Sequence, residues 1–293
     1  MRRACIDIGS NTTRLLIADC EQGVLRPVHQ ERAFTRIAPA LAEHRAIPAD
    51  KLTEIVEAAC AQLARARELG ALEVRAVGTE ALRRASNREQ LLSSVRAACG
   101  LEISVLSGEE EGRLAFLGAA SMLEGSIEGT FAVADVGGGS SELVVGTAPD
   151  EVAWCVSLPL GSGALAQRFL GSDPPLPSEV EEARADVDRV FARVRAPQVG
   201  SALAVGGSAA SLLQLAGPVL DAESCDRALE RLTATDAQQL ADELALEPQR
   251  VRLLPAGLLI LRAAAKSVGC ALRIGRGGLR EGVLLADQSA FQR

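Results

Sequence analysis

A chain of 293 residues, 48% of them apolar, is long enough to form two hydrophobic cores. Its net charge is −7, and we find its 31 basic residues scattered without an aromatic-interleaved basic stretch, which argues against nucleic acid as a partner. No apolar run approaches the length of a membrane span, and the amino terminus lacks a signal-peptide pattern. The seven cysteines are far apart, which predicts a reduced, cytoplasmic protein. His29 and His44 are the only histidines, which excludes a His-rich zinc site.

The first half alternates short apolar runs with helical patterns. Apolar residues recur at helical spacing from Leu52 to Leu63, and Gly70 supplies a stop. Ser86 with Glu89, and Ser107 with Glu110, have the spacing of capping boxes. The sequence predicts strands over 4–8, 14–19, 24–28, 73–77 and 103–106, and helices over 49–69, 86–100 and 108–122.

The second half repeats this alternation. Ser178 with Glu181 predicts a polar helix that ends near Pro197. Strands are predicted over 131–135, 142–145, 152–157, 202–205 and 272–274, and further helices over 236–244, 255–268 and 280–287. We therefore expect two α/β lobes: lobe I over 1–120, with a C-terminal helix at about 280–293 packing back on it, and lobe II over 121–293.

Two segments share one pattern: an apolar run, an aspartate, a turn of small polar residues and a second apolar run. In the first, Asp7 precedes Gly9, Ser10, Asn11 and Thr12; in the second, Asp135 precedes Gly137, Gly138, Gly139, Ser140 and Ser141. In such a strand, turn, strand unit the backbone N–H groups and hydroxyls can surround an anion, and aspartates suit Mg²⁺. An ordinary hairpin turn is the alternative, but three glycines weaken a plain hairpin, so the pair predicts phosphate binding.

Three glutamates begin the helix predicted at 108–122. Glu109 and Glu110 have Arg113 four and three residues further on, whereas Glu111 has no such local cation. The face of Glu111 continues through small and apolar residues, and partial desolvation there would make it a better general base. The alternative is that all three carboxylates only favour the positive end of the helix dipole.

Three further charged residues lie close to these motifs. Arg14 and Glu142 follow the two turns at equivalent positions, which suits one residue touching phosphate and the other touching a metal or water. A salt bridge between the lobes is the alternative. Arg83, just past Gly78-Thr79, is either a second phosphate clamp or a surface arginine.

Motifs along nearly the whole chain carry a family resemblance. In order, they are Ile6-Asp7-Ile-Gly-Ser-Asn11, Thr79-x-Ala81-x-Arg83-x-Ala85-x-Asn87, Ser107-Gly-Glu-Glu-Glu111-Gly-Arg113, Asp135-x-Gly-Gly-Gly-Ser140-Ser141-Glu142, Pro255-Ala-Gly257 and Gly278-Leu-Arg280-Glu281-Gly282. The series resembles the exopolyphosphatase and guanosine pentaphosphate phosphohydrolase (Ppx/GppA) family in its short two-domain form. The resemblance implies a two-lobed actin-like (ribonuclease H-like) ATPase fold, an α/β architecture of duplicated mixed-sheet domains with an active site in the interdomain cleft.

The resemblance also implies an activity and a site. The activity is Mg²⁺-dependent hydrolysis of terminal phosphoanhydrides of inorganic polyphosphate, with guanosine pentaphosphate as a further substrate. Glu111 would be the general base, and Arg83 would clamp the phosphate chain. Asp135 and Glu142 would hold Mg²⁺ or order the attacking water, with Asp7 as a further candidate. The two turns and Arg14 would bind phosphates. Whether the protein forms a homodimer is left open.

Departures from the family pattern gather in the second half. Ala164 and Gln167 stand where relatives usually carry an arginine and a glutamate, and Arg252 stands where aspartate is common. These positions leave open a polyphosphate or alarmone sensor with weak or no turnover. An ATP-dependent kinase or chaperone of the same fold is disfavoured, because Glu111 marks a hydrolase and the Gly206-Gly207-Ser208 turn is thin support for an adenosine pocket.

Overall fold

The computed structural model describes residues 1–38, 41, 45–123, 125 and 127–287. The chain divides into two compact units: unit 1 comprises Met1–Ser121 and Gly277–Arg293, and unit 2 comprises Met122–Arg276. His44 and residues 288–293, which include the end of the predicted C-terminal helix, lie outside the described residues.

The sheet of unit 1 is mixed. Its strands are β1 (Arg2–Ile8), β2 (Thr12–Glu21), β3 (Val24–Phe34), β4 (Glu73–Gly78) and β5 (Ile103–Val105). The strand order is β3-β2-β1-β4-β5, with β1 to β3 antiparallel and β1, β4 and β5 parallel. Ala4, Ile6 and Ile8 alternate along β1 and point into the core. The central strand β1 therefore leads directly into the first predicted phosphate turn.

The helices of unit 1 cover this sheet. They are α1 (Ala49–Glu68), α2 (Glu80–Arg84), α3 (Arg88–Cys99), α4 (Gly108–Ser121) and the C-terminal helix (Leu279–Leu285). α1 buries the predicted stripe, including Leu52, Ile55 and Leu63. Ser107 and Glu110 form the predicted capping box of α4: the Glu110 N–H donates to Ser107 Oγ at 3.2 Å, and the Ser107 N–H donates to Glu110 Oε2 at 2.8 Å.

The C-terminal helix packs against α4 through glycines. A Cβ atom at Gly282 would lie 1.9 Å from the Leu114 carbonyl oxygen, and one at Gly118 would lie 1.9 Å from the Gly278 carbonyl oxygen. Arg3 donates from Nη1 to the Leu284 carbonyl at 2.8 Å, and Arg75 donates to the carbonyls of Val283 and Ala286. The strand arginines thus satisfy carbonyls at the negative end of the helix dipole and tie this helix to the sheet.

The sheet of unit 2 repeats the pattern. Its strands are β6 (Thr130–Val136), β7 (Ser141–Thr147), β8 (Glu151–Leu158), β9 (Ala202–Val205), β10 (Val219–Leu220) and β11 (Leu272–Ile274), in the order β10-β11-β9-β6-β7-β8. β6 to β8 are antiparallel, and β6, β9 and β11 are parallel. Each unit therefore starts with a three-stranded antiparallel meander whose first strand then pairs with a parallel strand, and the predicted duplication of mixed-sheet domains is confirmed.

The helices of unit 2 surround an apolar core. They are α5 (Ser162–Phe169), α6 (Pro177–Phe191), α7 (Gly206–Ala216), α8 (Ala222–Ala234), α9 (Ala237–Leu244), α10 (Pro248–Val251) and α11 (Leu254–Val268). α11 is buried around most of its circumference and forms the centre of this core. Among the helices that the structure describes, none has both the length and the hydropathy needed to cross a membrane.

Two predicted capping boxes are wrong, although both helices form close to their predicted starts. α3 begins at Arg88, and no side chain caps it. Asn87, which precedes α3, is engaged elsewhere: its Oδ1 accepts from the Ile47 N–H at 2.8 Å, and its Nδ2 donates to the Ile47 carbonyl at 2.9 Å. α6 begins at Pro177 and ends at Phe191, and Glu179 rather than Glu181 reaches back, accepting from the Leu176 N–H at 2.8 Å. In both cases a contact that the Ser-x-x-Glu spacing does not encode decides the start.

Candidate functional site

The first predicted turn joins two central strands of unit 1. Ile8 pairs with Thr13 and Asp7 pairs with Arg14, so the four residues from Gly9 to Thr12 form the connection. The Gly9 N–H donates to the Thr12 carbonyl at 3.0 Å and closes the turn.

A neighbouring segment, residues 35–38, holds this turn by donating hydrogen bonds to the carbonyl oxygens of the turn. The Asn11 carbonyl accepts from the N–H groups of Thr35 and Arg36 at 3.1 and 3.0 Å. The Ser10 carbonyl accepts from those of Ile37 and Ala38 at 2.7 and 2.9 Å. In a trans peptide the N–H points opposite to the carbonyl, so the N–H groups of Asn11 and Thr12 point away from residues 35–38.

The second turn, in unit 2, has the same construction. Val136 pairs with Ser141 and Asp135 pairs with Glu142, and the Gly137 N–H donates to the Ser140 carbonyl at 3.0 Å. Four residues again form the connection, with the same closing hydrogen bond. Asp7 and Arg14 in unit 1 therefore correspond by strand register to Asp135 and Glu142 in unit 2, as their positions in the sequence indicated.

The start of α5 holds the second turn from behind. The Gly137 carbonyl accepts from the Ser162 N–H at 2.9 Å and from Ser162 Oγ at 3.1 Å, and the Gly138 carbonyl accepts from the Ala164 N–H at 3.0 Å. The N–H groups of Gly138 and Gly139 consequently point away from α5. The Ser141 hydroxyl donates to the Leu160 carbonyl, so its proton is engaged within the unit. Two successive carbonyls are thus occupied in each turn.

Asp135 and Glu142 place two carboxylates side by side in unit 2. They lie directly opposite each other on antiparallel strands, so their side chains share one face of the sheet. Glu142 is buried and accepts from Ser157 Oγ at 2.7 Å. Gly206, with φ of +82°, lies beside Asp135, because a Cβ atom there would be 2.2 Å from Asp135 Oδ1.

This donor set fits Mg²⁺. No group of three or more His, Cys, Asp or Glu side chains forms a metal site within the described ranges. Mg²⁺ does not need one, since it is commonly held by one or two carboxylates together with waters and substrate phosphates. An all-oxygen pair in which Ser157 already orients one carboxylate suits this hard cation and does not suit zinc.

Glu111 lies in the first turn of α4 and is 8% exposed. Its Oε2 accepts from Arg83 Nη1 at 2.7 Å, and the same nitrogen donates to the Leu106 carbonyl at 2.8 Å. The expectation that Glu111 has no cation is therefore corrected: the local sequence supplies none, but α2 does. Of the neighbouring glutamates, Glu109 pairs with Arg113 as expected, whereas Glu110 caps the helix.

Asp7 carries a further carboxylate in unit 1, and this residue is partly buried. Its Oδ1 atom is buried without a hydrogen-bond partner among the described residues. Burial raises the pKa of Asp7, while Arg14 and Arg280 act in the opposite direction. Arg14 itself donates from Nε to Thr12 Oγ1 at 3.0 Å. An orphaned buried oxygen beside two arginines fits a position that a cation, a water or a substrate group completes.

The positions that depart from the family pattern have structural roles of their own. Ala164 contributes only its N–H to the second turn, and Gln167 is exposed on α5. Arg252 is exposed and pairs with Asp173 at 2.7 Å. Asp173 also accepts from the Ala237 N–H at 2.8 Å, so Arg252 belongs to a network at the start of α9.

From the sequence we did not identify the segments that hold the turns, residues 35–38 and 162–164. The glycine of Leu160-Gly161 was a signal for the second segment. Only glycine fits there, because a Cβ atom at Gly161 would lie 2.3 Å from the Gly138 carbonyl carbon. We also gave no role to Arg280, although its charge acts on Asp7. These residues lie far along the chain from the groups they support, so spacing alone does not reveal them.

Comparison with known proteins places the chain among phosphatases. Residues 16–291 match the Ppx/GppA phosphatase family. The chain is 33% identical to exopolyphosphatase 1 of Mycobacterium tuberculosis, with 97% of this chain and 88% of that protein covered. It is 32% identical to an uncharacterised protein of Streptomyces coelicolor, with 97% and 90% covered.

Solved structures show the same relationship. A structure of the Aquifex aeolicus PPX-GPPA enzyme superposes with a TM-score of 0.81 at 30% identity, covering 98% of this chain and 99% of that one. An exopolyphosphatase from Cytophaga hutchinsonii, at 21% identity, shares the fold with a TM-score of 0.83, covering 97% and 96%. The resemblance inferred from the motifs is confirmed, and the chain belongs to the Ppx/GppA phosphatase family.

Proposed function

We propose that this protein is a Mg²⁺-dependent exopolyphosphatase, which releases terminal phosphate from inorganic polyphosphate and also converts guanosine pentaphosphate to the tetraphosphate. One observation carries the proposal: the same kind of turn occurs in both units. In each copy, two successive carbonyl oxygens of the turn accept hydrogen bonds from a neighbouring segment. A turn held in this way presents N–H groups to an anion without further rearrangement. Relatives named exopolyphosphatases support the substrate class, and seven free cysteines support a cytoplasmic location.

In this proposal the turns bind and orient phosphates. The N–H groups of Asn11 and Thr12, and those of Gly138 and Gly139, would donate to phosphate oxygens, and Arg14 would add a charged donor. Phosphoryl transfer needs little covalent chemistry from the protein, so positioning and charge neutralisation carry most of the catalysis. Each turn would thus hold phosphate groups of the substrate in place while water attacks.

Glu111 would act as the general base. It would accept a proton from the attacking water as the water oxygen bonds to the terminal phosphorus. The phosphoanhydride P–O bond breaks, and the leaving phosphate keeps the electron pair. Arg83 already holds one oxygen of this carboxylate, and a guanidinium has five donors, so it can orient Glu111 and still clamp the phosphate chain.

Asp135 and Glu142 are the residues that would hold Mg²⁺, with Asp7 as a further candidate. When bound, the ion supplies positive charge that neutralises phosphoryl oxygens. Ser157 keeps the Glu142 carboxylate oriented through its 2.7 Å hydrogen bond. Gly206 leaves room for the Asp135 carboxylate.

The test is phosphate release from polyphosphates of defined length and from guanosine pentaphosphate, with and without Mg²⁺. Replacing Glu111→Gln removes the proton acceptor and should lower kcat by about 10²- to 10⁴-fold while substrate binding is retained. Glu109→Gln is the matched control, since Glu109 lies on the same helix turn but pairs with Arg113 at the surface, and it should release phosphate like the wild type.

Unchanged turnover in Glu111→Gln would contradict the assignment of the base. Tight binding by the wild type without phosphate release would instead favour the polyphosphate or alarmone sensor, for which the atypical Ala164, Gln167 and Arg252 are the supporting residues. Release that is independent of Mg²⁺ would contradict the proposed role of Asp135 and Glu142.

A further inference from the structure

A small basic and aromatic group consists of Arg32 and Phe34 at the end of β3 and Arg36 just beyond it. All three are exposed, and they alternate along the chain. The guanidinium carbon of Arg32 lies 5.1 Å from the centroid of the Phe34 ring, and that of Arg36 lies 5.8 Å from the same centroid. The expectation that the sequence has no aromatic-interleaved basic stretch is therefore corrected at Arg32-Ala-Phe34-Thr-Arg36.

This group is fixed next to the first turn. Phe34 pairs in register with Thr12, and Arg32 pairs with Arg14, so these four side chains share one face of β2 and β3. Arg14 also reaches Thr12 through its Nε, at 3.0 Å. The N–H of Arg36 donates to the Asn11 carbonyl at 3.0 Å. The three arginines are thus held by the same short stretch that forms the proposed phosphate turn.

One feature of the group is unfavourable for the fold alone. Arg36 has a φ of +47°, a left-handed conformation that costs free energy for a residue with a side chain. Strained backbone of this kind clusters at active sites and ligand clamps. Arg14 lies opposite Arg32 on one neighbouring strand and opposite Asp7 on the other, so its position within the sheet is fixed from both sides.

The chemistry of the group points to phosphates. Guanidinium groups bind phosphate oxygens in a bidentate manner, and stacking on an aromatic ring orients them before a ligand arrives. The Phe34 ring already contacts two guanidinium groups, so its role is to position them rather than to stack on a base. We propose that Arg14, Arg32 and Arg36 form a subsite, held by Phe34, for the phosphates of a linear chain that lie beyond those bound at the first turn. This inference rests on the proposed phosphate-chain substrate.

The test is equilibrium binding of tripolyphosphate and of long-chain inorganic polyphosphate in a Glu111→Gln background. Arg32→Gln and Arg36→Gly should each raise the Kd for the long chain by about tenfold, and the Kd for tripolyphosphate by much less. Arg36→Gly is informative because glycine adopts a φ of +47° without penalty, so the variant loses the charge while its fold is unstrained. Arg26→Gln, an exposed arginine on the same strand but near its other end, is the matched control and should bind like the parent.

Equal loss of affinity for short and long chains would overturn the subsite, because damage to the first turn would produce that result. Unchanged long-chain affinity in both variants would also overturn it. A larger loss for guanosine pentaphosphate than for the long inorganic chain would contradict a linear-chain ligand. Because only binding is measured, absence of turnover in the wild type would overturn the proposed function and leave this result readable.

Discussion

At the scale of single residues, the contact between Glu111 and Arg83 fixes the orientation of the proposed base. Arg83 lies 28 residues earlier in the chain and binds the Glu111 carboxylate at 2.7 Å. The residue proposed to take a proton and the residue proposed to clamp the substrate are therefore in direct contact. Arg83 is in turn fixed by the Leu106 carbonyl, just before α4 begins. The proposed base is thus oriented from two separate elements.

Gly206 provides a residue-scale prediction. Gly206→Ala places a methyl group against Asp135 Oδ1 in addition to straining the backbone. We expect a loss of at least about 1 kcal/mol of stability, a lower rate of phosphate release and a higher Mg²⁺ requirement. Chemical denaturation and Mg²⁺ titration of the rate measure these effects.

The matched control is Gly217→Ala at the other end of α7. Gly217 has a φ of +83°, nearly that of Gly206, but a Cβ atom there has no neighbour within 4 Å. It should lose stability through the backbone, since its φ of +83° and ψ of −172° suit only glycine, and keep the Mg²⁺ dependence of the wild type. If both variants lost activity equally, the contact with Asp135 would not be responsible.

At the scale of elements, each proposed phosphate turn is held by a segment from elsewhere in its own unit. α4 is also held from outside, by the C-terminal helix that Arg3 and Arg75 attach to the sheet. The helix that carries Glu111 thus depends on a segment about 170 residues further along the chain. Glycines at the contact let the two backbones touch, which explains why small residues follow Glu111 along its face.

Gly282→Ala tests the helix contact. In an exposed helix this change would stabilise the protein by about 0.5–1 kcal/mol. Here the added Cβ would lie 1.9 Å from a backbone oxygen of α4, so overpacking should dominate and destabilise by about 1–3 kcal/mol. Urea unfolding measures the sign, and kcat should fall because α4 carries Glu111. A gain in stability would contradict the close contact.

Glu179 gives a pH-dependent prediction at the start of α6. Its carboxylate accepts from the N–H groups of Leu176, Ser172 and Gly171, and the bond from Leu176 is the main cause of a lowered pKa. A lowered pKa means that the stabilisation is complete above the unfolded-state pKa, about 4.3, and is lost as the pH falls through the folded-state value. Thermal unfolding of Glu179→Gln should therefore differ from that of the wild type near neutral pH and converge with it in acid. A constant difference would contradict this role.

At the scale of the whole molecule, the two units have separate cores, and each unit contains one buried thiol. Cys5 lies in unit 1 and Cys225 in unit 2. Burial raises the pKa of Cys5 well above its usual range and also raises that of Cys225. Because the thiolate is the reactive form, both should resist alkylation in the folded protein.

Thiol labelling followed by mass spectrometry should therefore report on each unit. Cys5 and Cys225 should react about a thousandfold or more slowly than in denaturant, since labelling requires opening of their core. The partly exposed Cys20 and Cys270 should react sooner. Rapid labelling of Cys5 in the folded protein would contradict the packing of unit 1.

Much of this protein was predictable from the sequence, because it depends on residues close together in the chain. The repeated turns, the apolar stripe of α1 and the box formed by Ser107 and Glu110 follow from local periodicity and hydrogen bonding. Helices α2, α5, α7, α8 and α10 were not predicted as helices. α2 and α10 are short, and small residues hide the periodicity of α5 and α7. α8 does carry a helical stripe, formed by Cys225, Ala228, Leu229 and Leu232, which we missed. The failure of the predicted box at Ser86 shows the limit of such patterns, because Asn87 binds Ile47 instead.

Only the tertiary structure decided which distant residues meet. Three contacts show this: Arg83 with Glu111, Arg36 with Asn11, and Gly282 with α4. Each joins segments far apart in the chain, at separations that no periodic sequence pattern predicts. Local sequence determines which groups a turn or helix presents, because neighbouring residues are joined by short, fixed geometry. The partners of those groups are set by how the sheets and helices pack, and that packing is what orients the proposed base and holds the proposed phosphate turns.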